Sequence, residues 1–144
     1  EEKFDVITMI GVLCIFDDYE SVLRNVLSWL KPNGKLILQN MISEYDIDVF
    51  VKYSESHEAY NMDNLESGWN IISEKSLRLV AKKNSAKLVS CVKFILQGVD
   101  LKKNEDDVMR SWTELNSLNE REIFNALHLR QPQKIAVIEK QLAK

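Results

Sequence analysis

The sequence predicts an α/β fold built on a mostly parallel sheet, and three observations carry that expectation. Phe4-Asp5-Val6-Ile7-Thr8-Met9-Ile10 is a continuous apolar, β-prone run, the kind found in strands buried on both faces of a parallel sheet. A helical pattern follows, with Val22, Val26, Leu27 and Leu30 recurring at three- to four-residue spacing to make one apolar face. A second buried-strand run, Leu36-Ile37-Leu38, comes directly after a Lys-Pro-Asn-Gly turn. Strand, helix and strand in that order and at these lengths give two parallel strands joined by a right-handed crossover.

The elements can be justified in order. Gly11 ends the first strand and lets the backbone turn or approach a ligand closely. Asp17 and Asp18 are N-cap candidates, and Asp17 with Glu20 has capping-box spacing. The helix then runs to about Leu30, where Pro32-Asn33-Gly34 stops it. Residues 41–70 are acidic and rich in tyrosine (Tyr45, Tyr53, Tyr60). Tyr45, Val49, Phe50 and Tyr53 fall on one helical face, which predicts a helical insertion or lid. Ser73 is placed to cap a second helix ending near Asn84, with Leu77, Val80 and Ala81 inward. Leu88 to Leu96 reads as a third strand, and Gly98 to Thr113 as polar loop. Asn119 and Glu122 repeat a capping-box-like spacing before a short helix carrying Ile123, Phe124 and Leu127, closed by Pro132. Ile135 to Ile138 is a last strand. No internal repeat or low-complexity tract interrupts the pattern.

Composition narrows the function classes. At 144 residues the chain fits one domain, 1–144, long enough to bury about 68–70% of its unfolded surface. No run approaches the ~18–20 apolar residues needed to span a bilayer, so no membrane partner is expected. Net charge is −3 but uneven. Residues 1–72 hold 5 Lys/Arg against 13 Asp/Glu, whereas residues 73–144 hold 14 against 9. The basic half mixes both signs rather than clustering one, which argues against a nucleic-acid partner. Cys14 and Cys91 lie in apolar runs, no Cys/His spacing suits a metal, and two thiols in a chain of this size fit a reducing, cytoplasmic setting.

Residues 4–40 read FDVITMIGVLCIF, DDYESVLRNVLSW, LKPNGKLILQN. This resembles the segment that follows the glycine-rich loop in class I S-adenosylmethionine-dependent methyltransferases. The text WNIISEKSLRLVAKKNSAKLVSCVKF is similar to that family's next helix and strand, and QPQKIAVIEK to its final strand. The resemblance implies the C-terminal half of a Rossmann-like sheet, mostly parallel, with the last strand inserted antiparallel beside the third. It implies S-adenosyl-L-methionine as cofactor, methyl transfer to a small-molecule substrate, and Met9, Ile10, Gly11, Val12 and Leu13 at the methionine end of the cofactor. Cys14 stands where many relatives have histidine, and Asn40 would face the substrate mouth. The pattern also departs from the family. There is no G-x-G-x-G loop and no acidic residue ending a second strand, Ser85 replaces a glycine after the second helix, and residues 114–130 have no family counterpart. A partial methyltransferase domain is therefore expected.

Other candidates come from the residues themselves. Cys14 reads either as a substrate contact or as a small apolar filler. His57, beside Glu55 and Glu58, and His128 are the only imidazoles; each reads either as a general base or, for His57, as a surface histidine and, for His128, as a structural one on its short helix. Tyr45, with Tyr53 and Tyr60, is placed either to wall a substrate pocket or to pack the lid. Trp69 reads as a hydrophobic staple before the second helix. Arg110, in the polar text Asp106 to Trp112, is suited to clamp a carboxylate or phosphate of the substrate, or else to pair with Asp107. No catalytic residue is named by any motif. Two competing readings stay open: a non-catalytic, methyltransferase-like interaction module, and half of a nucleotide-binding dehydrogenase domain. If these residues are the whole polypeptide, the strand Phe4–Ile10 is an open edge expected to drive homodimerisation or aggregation.

Overall fold

The computed structural model describes residues 3–54, 61–95 and 98–142. Its main elements are β1 (Phe4–Ile10), α1 (Tyr19–Ser28), β2 (Leu30–Ser43), β3 (Lys52–Tyr53), β4 (Glu66–Ser67), β5 (Ile72–Ser73), α2 (Glu74–Lys83), β6 (Ala86–Lys93), β7 (Trp112–Leu115), β8 (Arg121–Phe124) and β9 (Gln133–Lys140). The main sheet has the order β1-β2-β9-β6, with β5 joining the far end of β2. β1 and β2 are parallel, and β9 runs antiparallel to both β2 and β6. The insertion of the last strand beside the third is therefore as expected.

Both helices begin on designed caps. Asp18, not Asp17, accepts the Ser21 N–H at 3.0 Å and starts α1. Ser73 accepts the Ser76 N–H at 3.1 Å and starts α2. The residue just outside that cap is Ile72, so Trp69 is not the staple. After α2 the chain reverses through Ser85 at φ 51°, a left-handed conformation in which a glycine would be unstrained. The Lys-Pro-Asn-Gly turn does not follow a helix directly; it bulges within β2. Pairing steps from Phe4 with Leu30 to Val6 with Lys35 across it. Asn33 takes φ 64°, and Gly34 is wedged so that a Cβ would lie 2.9 Å from both the Lys31 and Phe4 carbonyl oxygens.

One face of the sheet carries the core. Leu36 and Leu38 of β2, Ala136 and Ile138 of β9 and Leu88 of β6 meet Leu23 and Leu27 of α1 and Leu77, Val80 and Ala81 of α2. Each fully buried Leu or Ile contributes about 1.5–3 kcal/mol relative to exposure. The other face differs from the expectation of a strand buried on both sides. Phe4, Val6 and Ile10 of β1 are 50%, 54% and 61% exposed. The reason is topological. The strands that α1 and α2 connect advance in one direction across the sheet, so two right-handed crossovers put both helices on the same face.

Two predicted helices are strands or turns. Among the described residues of 41–70 the only helical piece is one 3-10 turn, Met62–Asn64. The segment is instead a β excursion: Val49 bridges Ile71, and β3 pairs antiparallel with β4. The buried Asn70 pins it, accepting the Val51 N–H at 2.8 Å and donating to the Phe16 carbonyl at 3.1 Å. His57 and Tyr60 lie outside the described residues. The second correction concerns Asn119 to Leu129, where β7 and β8 form a hairpin. The Asn116 side chain accepts the N–H groups of Leu118 and Glu120, each at 2.9 Å, and builds the turn. Asn119 then sits at φ 62° instead of capping, and His128 occupies a turn at φ 55°. The third strand is shorter than predicted at its far end, stopping at Lys93; Leu96 lies outside the described residues.

Candidate functional site

β1 and β2 end at the same edge of the sheet, where ligands of open α/β sheets bind. The turn after β1 begins with Gly11 at φ 64°, its N–H donating to the Gln39 carbonyl at 2.9 Å. A Cβ placed on Gly11 would meet nothing closer than the Gln39 Oε1 at 3.7 Å, so the backbone here is open to close approach. Ile10 and Val12 flank it, 61% and 41% exposed, while Met9 is half-buried. Leu13 and Cys14 turn inward on one 3-10 turn and are buried. The Cys14 thiol donates to the Gly11 carbonyl at 3.5 Å, and burial pushes its pKa up. Cys14 thus packs beneath the turn, as the filler reading had it.

The turn is tied down from the acidic excursion. Lys52 bridges Asp17 and Ser67, and Ser67 also donates to Asp17 at 2.9 Å. The Lys52 hydrogen bond, then that of Ser67, holds the Asp17 carboxyl below its ordinary range. The Asn70 N–H donates to the Cys14 carbonyl at 2.9 Å. Deeper in, Asp48 accepts the Tyr19 hydroxyl at 3.0 Å, the Ser73 N–H at 2.6 Å and the Ser76 hydroxyl at 2.7 Å. Burial pushes the Asp48 carboxyl up, but the bonds from Ser73, Ser76 and Tyr19 outweigh it and leave it lowered. Burial raises the Tyr19 phenol to about 12. Sequence reading missed Asp48 and Asn70 because both act across 19 to 54 residues of chain.

At the end of β2 two neighbours show opposite faces. Gln39 donates to Gln133, Gln133 donates to Gln131 at 3.3 Å, and Gln131 to Ser111 at 3.0 Å. This amide relay ties the edge of the sheet to the loop that carries Arg110. The Arg110 side chain is exposed and makes no ion pair or hydrogen bond among the described residues, so the expected alternative pairing with Asp107 is not formed. Asn40 is 1% exposed, and its Oδ1 has no hydrogen-bond partner among the described residues. Its cross-strand partner is Lys134, 8% exposed and without an acidic partner among the described residues. Sequence reading did not single out Lys134; only the register of β9 brings it beside Asn40. Tyr45 is 70% exposed and stands apart on the surface. Among the described residues no group of three or more His, Cys, Asp or Glu side chains is gathered to hold a metal ion.

Comparison with known proteins adds the following. Residues 1–90 match the family model described as a methyltransferase domain. No curated protein matches the chain. Three solved structures are similar: a SAM-dependent methyltransferase from Methanosarcina mazei, an S-adenosylmethionine-dependent methyltransferase from Clostridium acetobutylicum, and the CcbJ methyltransferase from Streptomyces caelestis. Each is 12% identical with a TM-score of 0.49. The matches cover 99%, 98% and 99% of this chain but only 61%, 60% and 59% of those chains.

Proposed function

Because the chain belongs to the methyltransferase domain family, we propose that it takes part in methyl transfer from S-adenosylmethionine to a small-molecule acceptor in the cytoplasm. The observation that carries this reading is the open Gly11 turn at the carboxyl end of β1, with Ile10 and Val12 exposed beside it. The cofactor supplies a sulfonium-bound methyl group. Gly11 offers backbone without a side chain in the way, and Ile10 and Val12 offer apolar edges that exclude water from the sulfonium. These residues fit the methionine end only. No glycine-rich cradle for the adenosine is present among the 144 residues.

The acceptor side follows from the groups left without partners. Methyl transfer is an in-line displacement, so the protein's task is mainly to place the nucleophile. Arg110 is free to hold an anionic group of the acceptor in a bidentate way. The Asn40 Oδ1 is an acceptor awaiting a donor, and Lys134 beside it adds a positive charge. A second reading is a non-catalytic, methyltransferase-like interaction module.

Calorimetric titration of S-adenosylmethionine into the protein tests the first reading. Saturable binding is expected, lost in Gly11→Val while circular dichroism stays unchanged. An absence of binding by the folded wild-type protein overturns it and leaves the module reading.

A further inference from the structure

We propose that the side-chain carbonyl of Gln39 holds the sulfonium of S-adenosylmethionine at the Gly11 turn, with Gln133 and Gln131 as the positioning residues that aim it. The proposal rests on the methyl-transfer reading above and adds to it a residue that no motif marks. Gln39 lies level with Ile10 of β1 on one side and Ile135 of β9 on the other. Residues opposite each other in a sheet share a face, so its half-buried side chain stands between two aliphatic ones. The Gln39 Oε1 is 3.7 Å from the point where a Cβ on Gly11 would stand. Apart from the turn's own neighbours, no other described atom comes within 4 Å of that point. The space that glycine leaves open is therefore bordered by one polar atom, a carbonyl oxygen.

The amide relay fixes which end of Gln39 is on offer. Among the described residues its side chain makes one hydrogen bond, Nε2 donating to the Gln133 Oε1. Gln133 gives its own Nε2 to Gln131 at 3.3 Å and so turns its carbonyl toward Gln39. Both anchors are held by backbone. The Gln133 N–H donates to the Gln131 carbonyl at 2.8 Å, and the Gln133 carbonyl accepts the Phe94 N–H at 2.9 Å. Gln131 is 5% exposed, and its N–H donates to the Ile123 carbonyl at 2.9 Å. Each amide donates away from the turn, and hydrogen bonds in such a chain polarise one another. The Gln39 Oε1 is the negative end of that chain, in place before a ligand arrives. A sulfonium loses its charge as the methyl group departs. A carboxylate at this point would stabilise the bound cofactor more than the transition state and raise the barrier. A neutral amide dipole orients the cation at a smaller cost. Asp17, which follows the turn, is already engaged by Lys52 and Ser67.

Parallel calorimetric titrations with S-adenosylmethionine and with S-adenosylhomocysteine, its uncharged thioether, isolate this contact from the rest of the cofactor. Gln39→Met keeps the volume and removes the carbonyl. It should weaken S-adenosylmethionine on the order of ten-fold, the scale of a dipole lost from a charged group, and leave S-adenosylhomocysteine as it is. Gln133→Met leaves Gln39 in place but unaimed, and should weaken S-adenosylmethionine alone, by less. The circular dichroism spectra of both variants should match that of the wild type. Equal weakening of the two ligands in Gln39→Met, or no change in either, overturns the proposal and leaves the methyl-transfer reading standing. S-adenosylmethionine bound as tightly by Gln133→Met as by the wild type overturns the part given to the relay. No binding of either ligand by the folded wild-type protein overturns the methyl-transfer reading, and this proposal with it.

Discussion

At the residue scale, three positions carry separable effects. Ser85 holds φ 51° with no glycine to relieve it. Ser85→Gly should raise stability by about 0.5–1 kcal/mol, the left-handed penalty less the extra chain entropy of glycine. A urea unfolding curve reads this directly. Asn40→Leu removes the orphan Oδ1 from the core and should be neutral or stabilising by up to about 1 kcal/mol, while weakening acceptor binding at the same edge. Asp48 gives a pH signature. Its carboxyl is lowered in the folded protein, so the stability it lends is present above its ordinary value of 3.8 and lost as pH falls through the folded value. Tyr19 acts at the other end, because its phenol is raised from 10.0 to about 12. Its contribution is whole below pH 10 and lost as pH rises toward 12. Asp48→Asn should flatten the acid limb of the stability profile, and Tyr19→Phe the alkaline one. The sequence marked Ser85 and the cap Ser73, because both are local choices. It was silent on Asp48, Asn70 and Lys134, whose surroundings are assembled from distant segments.

At the element scale, βαβ geometry was legible because helix and strand periods are written locally in Val22 to Leu30 and Leu36 to Leu38. The excursion and the hairpin were not. In Tyr45 to Tyr53 and Asn119 to Leu129 a short apolar spacing fits either period, and length fails to arbitrate. What decided was side-chain capture of backbone: Asn70 on Val51, and Asn116 on Leu118 and Glu120. Gly34 is the firmest element-level test. Its Cβ would strike two backbone oxygens at 2.9 Å, on β1 and on the turn, and neither can swing aside. Gly34→Ala should destabilise by about 1–3 kcal/mol and loosen the pairing of β1 with β2. Amide exchange at Phe4, whose N–H donates to the Trp29 carbonyl, should accelerate.

At the scale of the whole molecule, right-handed crossovers place both helices on one face of the sheet, and the strands that read as buried on both faces are covered on one. The placement of β9 has a further consequence, in time rather than space. β6 meets β2 only through β9, and Gln39 waits for Gln133 across 94 residues of chain. A ribosome releases β1, α1, β2, α2 and β6 well before the strand that joins their two halves. Until then the edges of β2 and β6 that β9 joins lack their partner strand. Domains rich in non-local pairings fold more slowly than those built from local contacts. Refolding should accordingly be governed by the docking of residues 133–140, and conservative core changes there, such as Ile138→Val, should slow folding more than they speed unfolding. A change confined to the unfolding limb of the chevron would show that the keystone strand docks after the barrier has been crossed.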